Sequence, residues 1–332
     1  MDLPLALMNW AALEKRFLDL VGRDEKRQFT RFEKMGILSI NDALRTSRVD
    51  PGDPETTFIL STTKGNVELL DDSANYGSDS LYLWKSAGVI ADFFAVKSKP
   101  LIVSNACISG VSAMLVGRQM ICSGKCKHVI ILGADLVSRF IVSGFQSFLS
   151  LSTQPCRPFD TERDGLTLGE AAATLVLSSN PGEVELVAGS TSNDANHISG
   201  PSRSGEGLLL AIRNTLKDRA KPGAISAHGT ATLYNDEMES IALSRAGLEG
   251  VAVNSLKAYF GHTLGAAGLV ESIINIECLK QGQLPTTKGF SKLGVSGEIN
   301  VSDQFGQGER ESLLKIASGF GGCNAAALFI LR

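Results

Sequence analysis

The sequence of 332 residues is poor in cysteine, in long apolar runs and in net charge. Its six cysteines follow no regular framework spacing, so we expect reduced thiols and not a disulfide scaffold. No apolar run approaches the roughly 20 residues that a bilayer-spanning helix needs, and residues 1–8 lack the basic segment of a signal peptide. A formal charge of −3 gives no reason to expect nucleic acid as a partner. These absences predict a cytoplasmic protein with neither a membrane nor a nucleic-acid partner.

The residues that are present have the pattern of an α/β protein. With 43% hydrophobic residues, the chain is long enough for two packed units. Runs rich in branched residues alternate with helical stretches and glycine turns, which is typical of buried parallel strands. Strands are predicted at 57–61, 101–104, 129–133, 173–177, 185–189, 224–227, 251–254, 314–318 and 326–331.

Cys107 lies where one of these strands passes directly into a helix. We expect the first helical turn to carry the thiol, where unpaired N–H groups and the positive end of the helix dipole favour a thiolate. The alternative is a small core residue, because free cysteine is among the most buried residue types. Cys122 and Cys126 lie near His128, but this ligand set is incomplete, so we predict no metal site there.

Two of the four histidines lie in junctions of the same type. His228 follows the predicted strand 224–227 at its carboxyl end, where sites form in parallel α/β sheets. His262 lies with Lys257 after the strand 251–254. One cysteine with distant histidines is the expected pattern for a thiol nucleophile. The sequence therefore predicts that Cys107, His228 and His262 share one site.

These residues belong to a longer series of motifs in a defined order. The series is Asn105-Ala-Cys-Ile-Ser-Gly110, Arg157-Pro-Phe-Asp160, Arg163-Asp-Gly165, Gly169-Glu-Ala-Ala172, His228-Gly-Thr-Ala-Thr232, Asn235-Asp236, Ser255-Leu-Lys257, Gly261-His262, Gly265-Ala-Ala-Gly268 and Gly319-Phe-Gly-Gly-Cys-Asn324. Over residues 23–332 the chain resembles the elongating β-ketoacyl-acyl carrier protein synthases of the thiolase superfamily.

The resemblance implies an α/β, thiolase-like duplicated fold with layers in the order αβαβα. Residues 1–180 would form an N-terminal half that carries the nucleophile Cys107. Residues 181–332 would form a C-terminal half that carries His228, Lys257 and His262. A faint internal repeat agrees with this duplication, because the segment 169–177 is similar to the segment 322–331.

The activity implied is a decarboxylative Claisen condensation in fatty acid or polyketide elongation, with no cofactor and no metal. Cys107 would hold the acyl group, and His228 and His262 would donate hydrogen bonds to the malonyl thioester oxygen as charge grows on it. Lys257 would complete the catalytic set. Backbone N–H groups of Cys107 and Phe320 are the candidate oxyanion hole.

Further residues are expected to support this chemistry. Glu271 should pair with Lys257, either as a structural ion pair or to set the field around His262. Asp236 would order the loop after His228, and Phe320 resembles a gate over the acyl pocket. The pantetheine arm of the substrate would contact Thr230, Thr232 and Ser199.

The partners implied are an acyl carrier protein and a second copy of the chain. The dimer would share the apolar strand edge at 100–103. Arg23, Lys26 and Arg27 match a basic helix that would meet an acidic carrier. Family members open with a strand that we place centrally in the first half, whereas residues 1–22 here predict an amphipathic helix.

Two other functions stay open at this point. The first is a non-catalytic ketosynthase-like subunit that only shapes the pocket of a heterodimer, although such subunits usually lose the cysteine. The second is an unrelated cysteine hydrolase or acyltransferase.

Overall fold

The strands lie in the regions that the hydrophobic runs predicted. A computed structural model of the chain describes residues 3–22, 25–71, 76–304, 306–308 and 310–332. The strands are β1 (Leu5–Ala6), β2 (Thr56–Ser61), β3 (Leu101–Val103), β4 (His128–Asp135), β5 (Leu168–Gly169), β6 (Ala171–Ser178), β7 (Val184–Asn193), β8 (Ala224–Ser226), β9 (Ala252–Asn254), β10 (Gln283–Leu284), β11 (Asn300–Val301), β12 (Gly306–Gln307), β13 (Ser312–Gly319) and β14 (Cys323–Leu331). Each of the nine predicted strands overlaps one of these.

The helices connect the strands as the alternating pattern predicts. They are α1 (Trp10–Val21), α2 (Arg31–Ser47), α3 (Leu83–Phe93), α4 (Ser109–Cys122), α5 (Arg139–Ser147), α6 (Glu206–Leu216), α7 (Leu233–Arg245), α8 (Lys257–Phe260) and α9 (Ala267–Lys280). None of these helices has both the length and the apolar character that spanning a bilayer requires.

Two larger sheets repeat one plan. The first has the order β3-β2-β4-β6, in which β6 is antiparallel to β4 and the other neighbours are parallel. The second has the order β11-β9-β8-β13-β14-β7, in which β14 is antiparallel to both neighbours. The strands β9-β8-β13-β14 thus correspond to β3-β2-β4-β6, and the predicted duplication is confirmed.

Helices cover both faces of each sheet. Helices α1, α2 and α3 pack on the outer face of the first sheet around Phe32, and α6 and α7 pack on the outer face of the second around Leu314. Helices α4 and α9 fill the central layer, with Met114 and Leu269 in its core. This order of layers is the predicted αβαβα. It explains the continuous apolar runs, because strands covered on both faces need apolar side chains on both.

The N-terminal segment differs in part from what the sequence predicts. The amphipathic helix is present as α1, which buries Leu13 and Phe17 against the first half. The expectation that the strand missing here would lie centrally in the first half is wrong. In the second half, the first strand is β7, and it lies at the edge of the sheet beside β14. Because β14 corresponds to β6, the first strand of the first half would also lie at an edge, beside β6. Among the described residues, β6 pairs only with β4.

The two strand-to-helix junctions meet in the central layer because glycines let the helices approach. A Cβ atom on Gly110 would lie 3.0 Å from the backbone nitrogen of Leu269, and one on Gly268 would lie 2.7 Å from that of Val111. Helices α4 and α9 therefore begin side by side. Cys107 and His262, which precede these helices, are brought together by this contact.

Candidate active site

Cys107 lies in the turn between β3 and α4. The sequence predicted that the thiol would lie in the first turn of the helix. The helix begins at Ser109, so Cys107 precedes it. Ala106 has φ of 45°, a left-handed conformation that a residue with a Cβ rarely adopts, so the turn is strained directly before the thiol. The Ser109 hydroxyl holds this turn, because it accepts from the Asn105 N–H at 2.8 Å and donates to the Ala106 carbonyl at 2.6 Å.

The thiol of Cys107 is protonated at neutral pH. Burial raises the pKa of Cys107 to about 12, and the neighbouring Cys323 acts in the same direction, whereas the Lys257 charge and the Phe320 backbone oppose it. The expected thiolate is therefore wrong for the free protein, because loss of hydration outweighs the field at the helix start. Any covalent chemistry at this sulfur must move a proton.

His228 and His262 lie next to this thiol. His228 follows β8 at the carboxyl end of a parallel strand, as predicted, and His262 follows α8. The two ring centroids are 5.2 Å apart, and one ligand atom from each of Cys107, His228 and His262 lies within 4.8 Å of the others. Burial lowers the pKa of both histidines, and the Lys257 charge lowers it further, so both are neutral at pH 7.

Hydrogen bonds at Nδ1 place the proton on Nε2 of both rings. The Leu264 N–H donates to His262 Nδ1 at 3.3 Å, and the Lys257 ammonium lies 3.4 Å from His228 Nδ1. A neutral imidazole that accepts at Nδ1 carries its hydrogen on Nε2. Nε2 of His262 is buried and has no hydrogen-bond partner among the described residues. The site thus offers N–H donors, and it disfavours a metal ion, which would need the Nε2 lone pairs.

Three buried charges lie behind His228. The Lys257 ammonium donates to the His228 carbonyl and to Glu271 Oε1, both at 2.6 Å. Glu271 Oε2 accepts from Lys315, which also donates to the Ala227 carbonyl at 2.9 Å. Burial acts to raise the pKa of Glu271, but the two lysine charges outweigh it and lower the pKa, so the carboxylate stays ionised. The predicted Lys257–Glu271 pair is therefore present.

Lys315 is the member of this group that the sequence analysis missed. Its side chain is 0% exposed, in the strand β13, whose other residues at 313–317 are apolar and buried. The available signal was a single lysine inside an apolar strand. Such a charge must find a partner in the fold, although the sequence does not say which.

Two carboxylates on α7 order the loop that follows His228. Asp236 accepts from the N–H groups of Thr230 at 2.9 Å and Ala231 at 3.1 Å. Glu239, which the sequence analysis missed, accepts from the N–H groups of His228 and Gly229. Burial raises the pKa of Glu239 to about 7, and the Asp236 charge adds to this effect. The spacing of three residues places both carboxylates on one face of the helix.

Asp135 is a further buried carboxylate that the sequence analysis did not identify. It lies at the end of β4 and accepts from the Thr62 hydroxyl at 2.8 Å, the Thr63 N–H at 2.9 Å and the Gly265 N–H at 2.7 Å. Gly265 belongs to the turn after His262. Asp135 therefore ties the first sheet to the loop that carries this histidine.

A cavity of about 480 Å³ opens onto Cys107, His228 and His262. Part of its wall is apolar, because Phe320 stacks on Phe145 with ring centroids 5.4 Å apart and meets Phe148 edge-on at 5.3 Å. The polar part of the lining includes Thr230, Thr232, Ser199 and the unpredicted His197. Lys257, Glu271 and Asp236 are buried outside this lining.

The basic helix expected to meet a carrier does not form. Arg23 lies outside the described residues, and Lys26 and Arg27 precede α2, which begins at Arg31. The Arg27 guanidinium forms an ion pair with Glu25 at 2.6 Å, so a carboxylate partly neutralises its charge. Residues 25–29 precede Thr30, whose side chain caps α2, so Lys26 and Arg27 do not lie on a helical face.

Comparison with known proteins identifies the family. The family model described as the β-ketoacyl synthase N-terminal domain matches residues 8–181, and the C-terminal domain matches residues 184–291. A putative mitochondrial 3-oxoacyl-[acyl-carrier-protein] synthase of Schizosaccharomyces pombe is 28% identical over 95% of this chain and 85% of its own length. The 3-oxoacyl-[acyl-carrier-protein] synthase 2 of Vibrio cholerae is 31% identical over 73% of this chain and 65% of its own length.

Solved structures give the same answer for the fold. A ketosynthase of Xenorhabdus doucetiae, in complex with its chain length factor, has 26% identity and a TM-score of 0.85 over 100% of this chain and 85% of that one. A β-ketoacyl synthase of Burkholderia phymatum has 26% identity and a TM-score of 0.84 over 93% and 84%. The duplicated thiolase-like fold, the assembled cysteine and histidines and both domain matches lead to one conclusion: the chain belongs to the β-ketoacyl synthase family.

Proposed function

We propose that the protein is an elongating 3-oxoacyl-[acyl-carrier-protein] synthase. It condenses an acyl group on Cys107 with a malonyl group on an acyl carrier protein. The observation that carries this proposal is the pair of neutral histidines whose Nε2–H groups lie beside a buried thiol. Relatives with this printed activity support it, as does the 26% identical ketoacyl synthase alpha subunit of the Streptomyces glaucescens tetracenomycin polyketide synthase.

In the first step, the Cys107 sulfur attacks the carbonyl carbon of an acyl thioester. The bond from that carbon to the pantetheine sulfur breaks, and the thiol proton of Cys107 ends on the leaving sulfur. N–H groups of Cys107 and Phe320 would hold the oxyanion of the tetrahedral intermediate. Gly319 supports this placement, because a Cβ there would lie 3.0 Å from the Cys107 nitrogen and push the two backbones apart.

In the second step, the malonyl thioester oxygen accepts hydrogen bonds from Nε2 of His228 and His262. The bond to the carboxylate carbon breaks, CO₂ leaves, and the electron pair forms an enolate that these fixed donors stabilise. The enolate carbon then attacks the acyl carbonyl, the bond from that carbonyl carbon to the Cys107 sulfur breaks, and the sulfur takes a proton from solvent. Lys257 lies behind His228 and not in the cavity wall, so we assign it to positioning this ring, with Glu271 and Lys315.

The rest of the cavity fits the substrate's other parts. We infer that Thr230, Thr232 and Ser199 bind the amides of the pantetheine arm, since hydroxyls both donate and accept. In the free protein the Thr230 and Thr232 hydroxyls form a hydrogen bond with each other at 2.9 Å, and both could replace it with hydrogen bonds to the substrate. Phe320, stacked on Phe145, would move to admit the acyl chain.

The two halves, residues 1–180 and 181–332, would share the site, with the nucleophile from one and the donors from the other. We further propose a homodimer and a cytoplasmic location. The exposed side of β3 supports the dimer, because its Leu101 is 37% exposed on an edge strand. Six free cysteines support a reducing compartment.

The geometry argues against the two other functions. A pocket-shaping subunit has no need of the aligned Cys107, His228 and His262. A cysteine hydrolase activates its thiol with an imidazole that accepts the proton. Here both Nδ1 atoms already accept hydrogen bonds, and both Nε2 atoms carry hydrogen.

The test separates decarboxylation from condensation. Cys107→Ala should abolish condensation yet still release CO₂ from malonyl-carrier protein. His262→Ala should lose about 100- to 1000-fold in CO₂ release, while peptide mass spectrometry still finds the acyl group on Cys107. His128→Ala, outside the cavity, is the control. Wild-type CO₂ release by His262→Ala would refute the assigned role of this histidine.

A further inference from the structure

The strand β6 is an edge strand where its counterpart in the second half is internal. In β14, the residues Cys323–Phe329 are all buried, between β13 and β7. In β6, no residue is buried, although Ala171–Leu177 are apolar apart from Thr174. The first sheet thus has a position beside β6 that the described residues leave open.

Sequence and packing establish this equivalence independently. Residues 171–177, Ala-Ala-Ala-Thr-Leu-Val-Leu, align with residues 325–331, Ala-Ala-Ala-Leu-Phe-Ile-Leu. Odd-numbered side chains of both strands, such as Leu175 and Phe329, face the central core. Even-numbered ones, such as Val176 and Ala326, face the two outer cores. A strand beside β6 would therefore lie between helical layers, as β7 does.

The backbone of β6 presents a row of groups to this position. Ser179 donates its N–H to the Lys127 carbonyl, on the side of β4. Because the direction alternates along an antiparallel strand, the N–H and C=O groups of Ala172, Thr174 and Val176 point away from β4. The same alternation holds in the second half, where the Arg332 N–H donates to the backbone carbonyl of Glu183, the residue before β7.

Neither a proline, a charged side chain nor a bulge protects this edge. Residues 171–178 contain no proline and no charged side chain, and their pairing with β4 shows no bulge. Native proteins normally block an open edge with one of these devices, since unpaired N–H and C=O groups accept another strand.

The N-terminal segment approaches the edge but leaves it before β6 begins. β1 pairs with β5, and the Glu170 N–H donates to the Ala6 carbonyl. The chain then turns into α1, with the Met8 N–H and Trp10 Nε1 both bonded to Glu170 Oε1 at 2.9 Å. From Ala171 onward, the described part of the chain supplies no strand to this edge.

We propose that the open edge of β6 is a docking site for an extended segment of a partner polypeptide. The segment pairs antiparallel with Ala171–Ser178 as a fifth strand of the first sheet, a form of β-strand addition. It has about seven residues that are apolar or small on both faces, because one face meets the layer of α2 and the other meets the layer of α4 and α9. A charge on either face would lie unpaired between these layers.

The probe is a peptide with the sequence Leu186–Asn193 of β7, which carries no charged side chain, acetylated, amidated and fluorescently labelled, since β7 covers the equivalent edge. In the second half, Ala188 and Ser190 lie opposite Leu328 and Ala326, whose N–H groups face β7. N-methylation of Ala188 and Ser190 should therefore weaken binding to the full-length protein at least about tenfold. The same modification at Gly189 and Thr191, whose N–H groups would point away from β6, should leave the affinity within about twofold. Fluorescence anisotropy measures all three peptides.

Hydrogen exchange locates the binding. The peptide should slow exchange in 171–178 about tenfold or more and leave the segment 323–331 unchanged. Equal affinity of the two methylated peptides, or no binding at millimolar peptide, would overturn the proposal. Protection of 171–178 that grows with protein concentration and needs no peptide would also overturn it, since a second copy would then occupy the edge.

Discussion

Burial controls the charge state of the groups around the cavity. It raises the pKa of Cys107 to about 12, and it lowers the pKa of His228 and His262 beside the lysines. The residues that face substrate are therefore neutral hydrogen-bond donors, while the ionised groups lie one layer behind them. Neutral donors suit an oxygen that gains charge only during the reaction, because they do not need to lose or gain a proton themselves.

The raised thiol pKa predicts how Cys107 responds to alkylating reagents. Only the thiolate reacts, so the rate with iodoacetamide should rise about tenfold per pH unit from pH 7 to 9. A short cysteine peptide with blocked termini, whose thiol pKa is about 8.5, should begin to level off over the same range. Peptide mass spectrometry measures modification of Cys107 alone, and a plateau below pH 9 would contradict this pKa.

The buried group of Lys257, Glu271 and Lys315 predicts unequal costs for its members. Glu271→Gln leaves two buried ammonium groups without a countercharge and should cost about 3–5 kcal/mol in the free energy of unfolding. Lys315→Met leaves the Lys257–Glu271 pair intact and should cost less. Urea unfolding compares both with Lys280→Met, which removes exposed pairs worth about 1 kcal/mol or less. The reverse order of Glu271→Gln and Lys315→Met would contradict the assigned pairing.

The carboxyl group of Glu239 predicts a pH dependence of stability. Its folded pKa of about 7 exceeds the ordinary value of 4.5, so the folded state binds the additional proton between these pH values. This contribution is present in full below pH 4.5 and is lost as the pH rises through 7. From pH 5 to 8, the wild type should lose up to roughly 3 kcal/mol relative to Glu239→Gln. Parallel stability profiles of the two proteins would contradict the raised pKa.

Among the helices and strands, the contact between the starts of α4 and α9 decides whether the site assembles. Helix α4 begins two residues after Cys107, and α9 begins five residues after His262. Gly110 and Gly268 let the two backbones approach to distances that no side chain allows. The distance between nucleophile and donor is therefore set by helix packing and not by the loops alone.

Gly268→Ala tests this contact. Its Cβ would lie 2.7 Å from the Val111 nitrogen, and a backbone atom cannot move aside as a flexible side chain can. We expect a loss of about 1–3 kcal/mol in the free energy of unfolding, together with a lower condensation rate. Gly88→Ala in α3 is the control, because its Cβ meets nothing within 4 Å and alanine favours the helix. Equal stability of both variants would refute this role of the contact.

At the scale of the whole molecule, the first sheet is exposed at both edges in the described structure. The strand β3 at one edge directly precedes the turn that carries Cys107. The strand β6 at the other edge directly follows β5, which is hydrogen-bonded to the backbone of His262. The Gly169 N–H donates to the His262 carbonyl at 3.1 Å. Both edges are thus connected to the site, and assembly at either one would reach it through a few backbone hydrogen bonds.

The β3 edge predicts a dimer in solution. Light scattering at micromolar concentration should give twice the chain mass of 35.2 kDa. Leu101→Lys places a charge on this edge and should shift the protein toward monomer. Leu18→Lys changes a similarly exposed residue of α1 and should leave the mass unchanged. A wild-type monomer, or equal masses for both variants, would contradict the β3 interface.

The sequence by itself determined the strands, the layered class and the family. Buried strands are visible as apolar runs, because a strand covered on both faces needs apolar side chains at successive positions. The junction residues Cys107, His228 and His262 were also visible, because each lies between a strand and a helix in a short pattern.

Only the tertiary structure decided the charge states and the partners of these residues. The pKa of Cys107 depends on how far the thiol is buried from water. A local pattern that predicts the start of a helix contains no information on this burial. Lys315 and Asp135 meet the site across 44 and 130 positions of sequence, and Arg27 lies off any helix because capping begins at Thr30. The open edge of β6 is likewise recognised only by comparing the two sheets, because its counterpart β14 is paired on both sides. Contacts between distant residues and the exclusion of water are properties of the assembled fold, so no segment of the sequence specifies them alone.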